Sequence, residues 1–366
     1  MTTLFDPFTL KDVTLRNRIA VSPMCQYSAN DGVINEWHHV HLGGLARGGA
    51  GLVIVEATAV SPEGRITPAC SGLWNDEQAT ELAKAVKTIK AAGAVAGIQI
   101  GHAGRKASAN RPWEGDDHIA ADDSRGWEII APSAIAYGGG LPKVPREMTK
   151  ADIARVKQAF VDSAKRALSA GFEWLELHFA HGYLAQSFLS KHSNQRTDEY
   201  GGSFENRTRF LRETLQAVRA VWPQNLPLTM RLGVIEFDGK DEETLGEAIE
   251  LIKLLKADGL DFIDVSMGFS TGKANIPWGP AFLGPIAGRV RSETGLPAST
   301  SWYISTPQQA EGLIQDGSVD LVMLGRPLLD EPHWPYRAAK ELGIEKASWI
   351  LPAPYAHWLE RYRTAA

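Results

Sequence analysis

Eight short apolar runs, the amphipathic helical stretches that alternate with them, and a length of 366 residues predict a closed parallel (β/α)8 barrel of the TIM-barrel class. The runs begin near Ile19, Leu52, Val95, Trp174, Leu228, Phe262, Leu296 and Leu321. Most are continuously apolar, which suits strands buried on both faces. An open doubly wound sheet is the competing α/β arrangement, and the count of strands favours closure.

The elements follow one theme, a helix that stops at a glycine and a strand a few residues on. Leu82, Val86 and Ile89 share a helical face, Gly93 stops that helix, and Val95 to Ile100 reads as a strand. Thr149 and Asp152 form a capping box, with Ile153, Val156 and Phe160 at helical spacing behind it. Gly171 ends this helix, and Trp174 to His178 is the next strand. Thr244 and Glu247 read as the cap of a helix carrying Leu245, Ile249 and Ile252; Gly259 ends it before Phe262 to Ser266. Ala310, Leu313 and Ile314 lead through Gly317 to Leu321–Leu324. The gap between the third and fourth strands is the longest. It holds Arg111-Pro112-Trp113 and Gly138-Gly139-Gly140, and reads as an insertion over the barrel mouth, not a separate domain. No linker or composition shift divides the chain, so residues 1–366 are expected to be one domain.

Composition narrows the function classes. Hydrophobic residues are 44% and charged residues 22%, a globular balance. Basic and acidic residues, 38 and 43, are interspersed with no basic stripe, which argues against nucleic acid as a partner. Cys25 and Cys70 are too few for a disulfide framework or a four-cysteine metal or iron–sulfur site. A reducing, cytoplasmic location is the expectation. Residues 1–11 lack a signal-peptide pattern, and no apolar run is long enough for a membrane span.

In a parallel barrel the chemistry sits at the carboxyl ends of the strands. Those ends carry Pro23-Met24-Cys25-Gln26-Tyr27, Glu56-Ala57-Thr58, Gln99, then His178 with His181 and Tyr183, Arg231, Trp302, and Gly325-Arg326. Two imidazoles three apart can bind a metal, hold an oxygen, or satisfy core hydrogen bonds. A metal needs further ligands, and Trp37-His38-His39-Val40-His41 offers imidazoles only where the first helix is expected. No metal site is therefore expected. Imidazole N–H groups can donate to a carbonyl or nitro oxygen, and a tyrosine can act as general acid. Gly325-Arg326 suits a phosphate, with a turn glycine beside a surface arginine as the alternative. Gln99 can pair with an imide-like ring edge, and Arg231 can stabilise negative charge beside it; a buried amide and a barrel salt bridge are their alternatives. No base pairs with Cys25, and neither a G-x-G-x-x-G turn nor a P-loop is present.

These residues resemble the Old Yellow Enzyme family, and most of all its xenobiotic-reductase branch. The resemblance runs from Leu4 to Arg361 and is most specific in Gln99-Ile100-Gly101-His102-Ala103-Gly104-Arg105, in Glu176-Leu177-His178-Phe179-Ala180-His181-Gly182-Tyr183-Leu184, and in the segment from Arg196 to Arg207. It implies non-covalent FMN and ping-pong reduction of α,β-unsaturated aldehydes and ketones, with NADPH, or less readily NADH, as reductant. Nitro compounds and nitrate esters are implied as alternative acceptors. It places Pro23, Met24, Cys25 and Ala57 against the flavin, Gln99 and Arg231 at its pyrimidine edge, and Gly325 and Arg326 at its phosphate. It gives His178 and His181 the substrate oxygen and Tyr183 the proton transfer. Tyr27, Trp302 and Trp358 would line the substrate pocket. Residues 340–366 would form a tail packing at the active site or dimer interface, and a homodimer or higher homo-oligomer is implied.

One position departs from the family pattern: Tyr303 follows Trp302 where the resemblance implies glycine. Two rivals share the fold. A phosphate-binding isomerase or aldolase would need a lysine or carboxylate base at a strand end. A metal- or ligand-binding barrel would use the Trp37–His41 histidines.

Overall fold

The computed structural model describes residues 2–362. Two three-residue strands, β1 (Phe8–Leu10) and β2 (Val13–Leu15), make an antiparallel hairpin before the barrel begins. The barrel strands are β3 (Ile19–Val21), β4 (Leu52–Ala59), β5 (Val95–Gly101), β8 (Trp174–Phe179), β9 (Leu228–Ile235), β10 (Phe262–Met267), β11 (Ala298–Thr300) and β12 (Leu321–Leu324). They pair in parallel and close as β10-β11-β12-β3-β4-β5-β8-β9. Between β5 and β8 lie β6 (Ile130–Ala131) and β7 (Arg146–Glu147), which pair with each other. The principal outer helices are α1 (Glu36–Arg47), α2 (Asp76–Ala91), α3 (Lys150–Ala170), α4 (Leu184–Leu189), α5 (Phe204–Arg219), α6 (Asp241–Ala257), α7 (Gly284–Thr294) and α8 (Pro307–Gln315). After β12 come α9 (Arg326–Asp330), α10 (Trp334–Glu341) and α11 (Ala353–Arg361).

Strand alternation divides the barrel. Val53, Val55, Ile98, Leu175, Leu177, Met230, Ile263 and Val265 belong to the large core cluster beneath the helices. The alternate residues fill the barrel interior in layers. Ala20, Leu52, Ile54, Trp174, Phe262, Leu321 and Met323 make an apolar plug, and Phe8, Val13 and Leu15 of the hairpin pack into the same cluster. Phe262 meets Trp174 at 5.4 Å and Phe8 at 6.1 Å, both edge-on. Two residues further along the same strands the interior turns polar: Glu56, Gln99, Glu176, Arg231, Asp264 and Ser299, all buried.

Local chemistry sets the helix boundaries. The Thr149 hydroxyl accepts from Asp152 N at 3.1 Å, and the Asp152 carboxylate accepts from Thr149 N at 2.9 Å. Two boundaries differ from the sequence reading. Thr244 does not cap α6, which begins at Asp241. Asp241, Glu242 and Glu243 occupy its first turn, where negative charge meets the helix dipole favourably. The seventh strand starts at Ala298 and not at Leu296, because Pro297 has no N–H to give the ladder. The C-terminal segment packs outside the barrel against the end of α1: Arg47 lies 5.3 Å over the Tyr355 ring, and Gly49 faces Pro335 and Ile350. Residues 363–366 of the expected tail lie outside the described residues. No helix among the described residues is long and apolar enough to cross a membrane.

The plug predicts a large penalty for truncation. Trp174→Ala should destabilise the fold by about 3–5 kcal/mol, through lost burial and a cavity that the closed barrel cannot collapse. An unchanged urea midpoint would show that this layer does not bear on stability.

Candidate active site

Arg231 on β9 projects into the polar layer. Its Nη2 donates to Ser301 Oγ at 2.7 Å and its Nη1 to Ser22 Oγ at 3.4 Å, while its Nε lies 3.1 Å from Asp264 Oδ2. Asp264 Oδ1 accepts from the Ser299 hydroxyl at 2.9 Å. Beside this group, Gln99 Nε2 donates to Glu176 Oε1 at 2.8 Å, and Glu176 Oε2 is buried without a hydrogen-bond partner. Burial, and then the neighbouring Asp264, pushes the Glu176 carboxyl up to about 8. Burial also raises Asp264, with Arg231 acting in the opposite direction. The layer therefore holds one arginine cation against carboxyls that resist ionising together.

Above it, β8 ends at His178 and the chain turns sharply. His181 and Gly182 adopt φ of 62° and 68°. A Cβ at Gly182 would stand 2.3 Å from the Phe269 carbonyl oxygen, so only glycine fits. The turn brings three rings together: His178 to His181 at 4.8 Å, His178 to Tyr183 at 5.0 Å, and His181 to Tyr183 at 6.3 Å. Ala180 N donates to His178 Nδ1 at 3.4 Å, which leaves the His178 N–H on Nε2. Ser266 Oγ accepts from Trp302 Nε1 at 3.3 Å and lies 2.8 Å from His181 Nε2, placed to donate to it. With the Ser266 proton given to Nε2, the His181 N–H sits on Nδ1. Burial, and then Arg231, holds both imidazoles well below their ordinary range, so they are neutral. Burial raises Tyr183 well above a free phenol, so it keeps its proton. His178, Tyr183, Ala57, Thr58 and Gly101 line one open pocket.

Sequence reasoning missed Lys106, which follows the third strand by a few residues. Its Nζ donates to the carbonyls of His181 at 2.7 Å and Phe269 at 3.2 Å, clamping the left-handed turn to the segment after β10. It also lies 4.0 Å over the Tyr137 ring and 5.8 Å over Tyr183. Burial, and then the adjacent Arg105 cation, lowers it from 10.5 to about 7. Glu176, Asp264 and Ser266 were missed as well. Their signal was present: each alternates with apolar residues inside a buried strand, which aims it into the barrel.

The loop after β3 is tied down through Glu56, whose carboxylate accepts from Gln26 N at 3.0 Å and lies 3.3 Å from His38 Nε2. Pro23, Met24, Cys25 and Tyr27 are each half-buried along this loop. Burial, and then Glu56, raises the Cys25 thiol well above its ordinary value, which keeps it protonated and argues against a nucleophile. His38 is spent on Glu56 and on capping α1 at Asn35. Gly325 and Arg326 open α9 directly after β12, with Arg326 exposed, and Met24 Sδ lies 3.5 Å from where a Gly325 Cβ would stand. Trp302 reaches the cluster, 6.2 Å from the His181 ring. Trp358 does not: it is 70% exposed on α11, and its ring contact is with His357. This donor set suits a flavin. A buried amide, Gln99, and a buried guanidinium, Arg231, belong to one polar layer of the barrel, and Ala57 lines the pocket at its mouth.

The comparisons point the same way. A family profile described as the NADH:flavin oxidoreductase / NADH oxidase family matches residues 3–345. The chain is 44% identical over 346 residues to the NADPH dehydrogenase of Geobacillus thermodenitrificans (strain NG80-2), covering 94% of this chain and 96% of that protein. It is 43% identical over 343 residues to the NADPH dehydrogenase of Halalkalibacterium halodurans, covering 93% and 95%. Among solved structures, morphinone reductase in complex with tetrahydroNAD superposes with a TM-score of 0.78 at 27% identity, covering 94% of this chain and 92% of that one. The Old Yellow Enzyme homologue from Zymomonas mobilis gives a TM-score of 0.78 at 26% identity, covering 100% of both chains.

Lys106 carries a pH signature. Its folded value of about 7 lies below the ordinary 10.5, so across that window the unfolded chain holds a proton that the folded chain lacks. Its contribution to stability therefore rises with pH through the window. Lys106→Met should remove that rise, seen as a smaller gain in urea midpoint from neutral to alkaline pH than in the unaltered protein. Parallel profiles would show that the lysine stays protonated in the fold.

Proposed function

The chain belongs to the NADH:flavin oxidoreductase / NADH oxidase family, and on that premise we propose that it reduces the activated C=C bond of α,β-unsaturated aldehydes and ketones by a ping-pong mechanism. It is an FMN-dependent oxidoreductase of the NADPH-dehydrogenase type that takes its electrons from NADPH or NADH. The observation that carries the finer reading is the cluster of two neutral imidazoles and one protonated phenol, with Ala57, His178 and Tyr183 lining one cavity.

In this reading Gln99 and Arg231 would hold the pyrimidine edge of FMN, Pro23, Met24, Cys25 and Ala57 would flank its ring, and Gly325 and Arg326 would hold its phosphate. When bound, FMN would supply the hydride chemistry that links a nicotinamide donor to the acceptor's β-carbon. His178 and His181 donate N–H hydrogen bonds to the acceptor oxygen and stabilise negative charge as it develops there. Neutral imidazoles serve this better than cations in a site that already holds Arg231. Tyr183 protonates the α-carbon, and its raised pKa keeps it loaded at neutral pH. Tyr27 and Trp302 wall the pocket, and the protonated Cys25 thiol tunes the flavin environment without forming a covalent bond. Trp358 would serve a substrate site only across a homodimer, since α11 carries it on the outside of this subunit. Nitro compounds and nitrate esters are further acceptors, because their oxygens offer the histidines the same target.

The direct test is an anaerobic visible spectrum followed through NADPH and then cyclohexenone. The flavin band should bleach and then return; a band that bleaches and never returns would discard enones as acceptors. Tyr183→Phe should slow the return by about 10²-fold or more while leaving the bleaching step intact, since only the second half-reaction consumes the proton. Equal losses in both steps would remove Tyr183 from the donor role. His178→Ala should weaken phenol binding by about tenfold, the worth of one well-placed donor; an unchanged affinity would take His178 off the oxygen.

A further inference from the structure

The aromatic lining of the mouth continues past the residues that this chemistry uses. Trp302, beside His181, meets Phe269 at 5.7 Å and Trp278 at 5.7 Å. Trp278 lies 5.7 Å from Tyr303 and 5.5 Å from Phe282, and Tyr303 lies 6.4 Å from Phe282. Trp278 and Tyr303 at the outer end are 49% and 50% exposed. Trp302 and Tyr303 are successive non-glycine residues with φ of 75° and 54°. Left-handed backbone is unfavourable for large side chains, and here it turns two adjacent aromatic rings onto one wall. The Tyr303 carbonyl accepts from Ala281 N at 3.0 Å, so the two rim segments bearing these rings are joined.

We propose that Trp302, Trp278 and Tyr303 form an outer subsite selecting acceptors whose α,β-unsaturated carbonyl is joined to a planar, fused aromatic ring system. The inference rests on the reading that His178 and His181 hold the acceptor oxygen. From His181 the rings run 6.2 Å to Trp302, and from Trp302 5.7 Å to Trp278, so Trp278 is the second ring out from the histidines. A flat ligand with its oxygen on the histidines meets Trp302 first and Trp278 with its outer rings. The ring pairs along the wall meet at 44° to 50°, which leaves partial faces for a flat ligand. Among the described residues no lysine or arginine stacks on Trp278, Trp302 or Tyr303, so the wall suits a neutral apolar body better than a phosphate-bearing one. An exposed contiguous aromatic surface leading into a reaction site is a recognition surface.

The test uses the FMN-loaded protein and three unreactive probes of increasing size: phenol, naphthol and phenanthrol. Affinity is read from the perturbation of the flavin absorbance. In the unaltered protein, affinity should rise with ring number. Trp278→Ala and Tyr303→Gly should each weaken phenanthrol by about tenfold and phenol by less than about twofold. Tyr303→Gly keeps the test decisive if Trp278→Ala disturbs its loop, because glycine accepts the left-handed backbone without strain. Equal shifts for all three probes, or none, would overturn the subsite. So would weaker binding of an unreactive NADPH analogue with phenanthrol unmoved, or a changed oligomeric state on sedimentation, either of which gives the rings another occupant. If phenol does not perturb the flavin of the unaltered protein, the histidine reading falls and takes the subsite with it. If phenol binds and only the size dependence is missing, the subsite falls alone.

Discussion

A buried guanidinium organises the upper half of this barrel. An arginine cation inside a low-dielectric core is costly unless every donor and the charge itself are compensated. Arg231 has Asp264 for its charge and Ser301 and Ser22 for its Nη groups. Those partners come from β10 and from the segments just past β11 and β3, so one side chain ties together the ends of four barrel strands, β9 included. The same cation opposes protonation of His178 and His181 and favours the ionised forms of Glu176 and Asp264. Burial sets the charge state of the mouth first, and this cation second.

Around that centre the structure separates two jobs by depth. The lower interior is apolar and closed by the N-terminal hairpin, and it contributes stability. The upper interior is polar, and each group is held by a neighbour from another strand, as Gln99 is by Glu176 and His181 by Ser266. The mouth loops add strained backbone at Tyr27, His181, Trp302 and Tyr303, all with positive φ. Strain of this kind persists where surrounding contacts over-determine it. Lys106 supplies such a contact by fastening the His181 and Phe269 carbonyls with one ammonium group.

Much of this was legible in the chain. Seven of the eight barrel strands begin within a residue of the expected starts, because a strand buried on both faces is written as an uninterrupted apolar run. The seventh was displaced by Pro297, whose missing N–H acts at a range shorter than hydropathy resolves. The hairpin at Phe8–Leu15 went unseen because two three-residue strands carry no period. The mouth residues could be named from strand ends alone, and the His178-x-x-His181 pair with Tyr183 does come together as one cluster. Trp358 could be named but not located, since α11 carries it on the outside of the described subunit, away from the cluster.

The sequence by itself determined the barrel, where most of its strands begin and the set of polar residues at their carboxyl ends, because apolar continuity is a local property of each strand. Only the tertiary structure decided which of those groups face one another and in which protonation state. Burial and through-space charge come from residues far apart in the chain: Arg231 with Ser301 and Ser22, Glu176 with Gln99, Lys106 with His181 and Phe269. The aromatic wall from Trp302 to Trp278 belongs to the same class, for its rings lie on separate segments and become a surface only when the barrel closes beneath them.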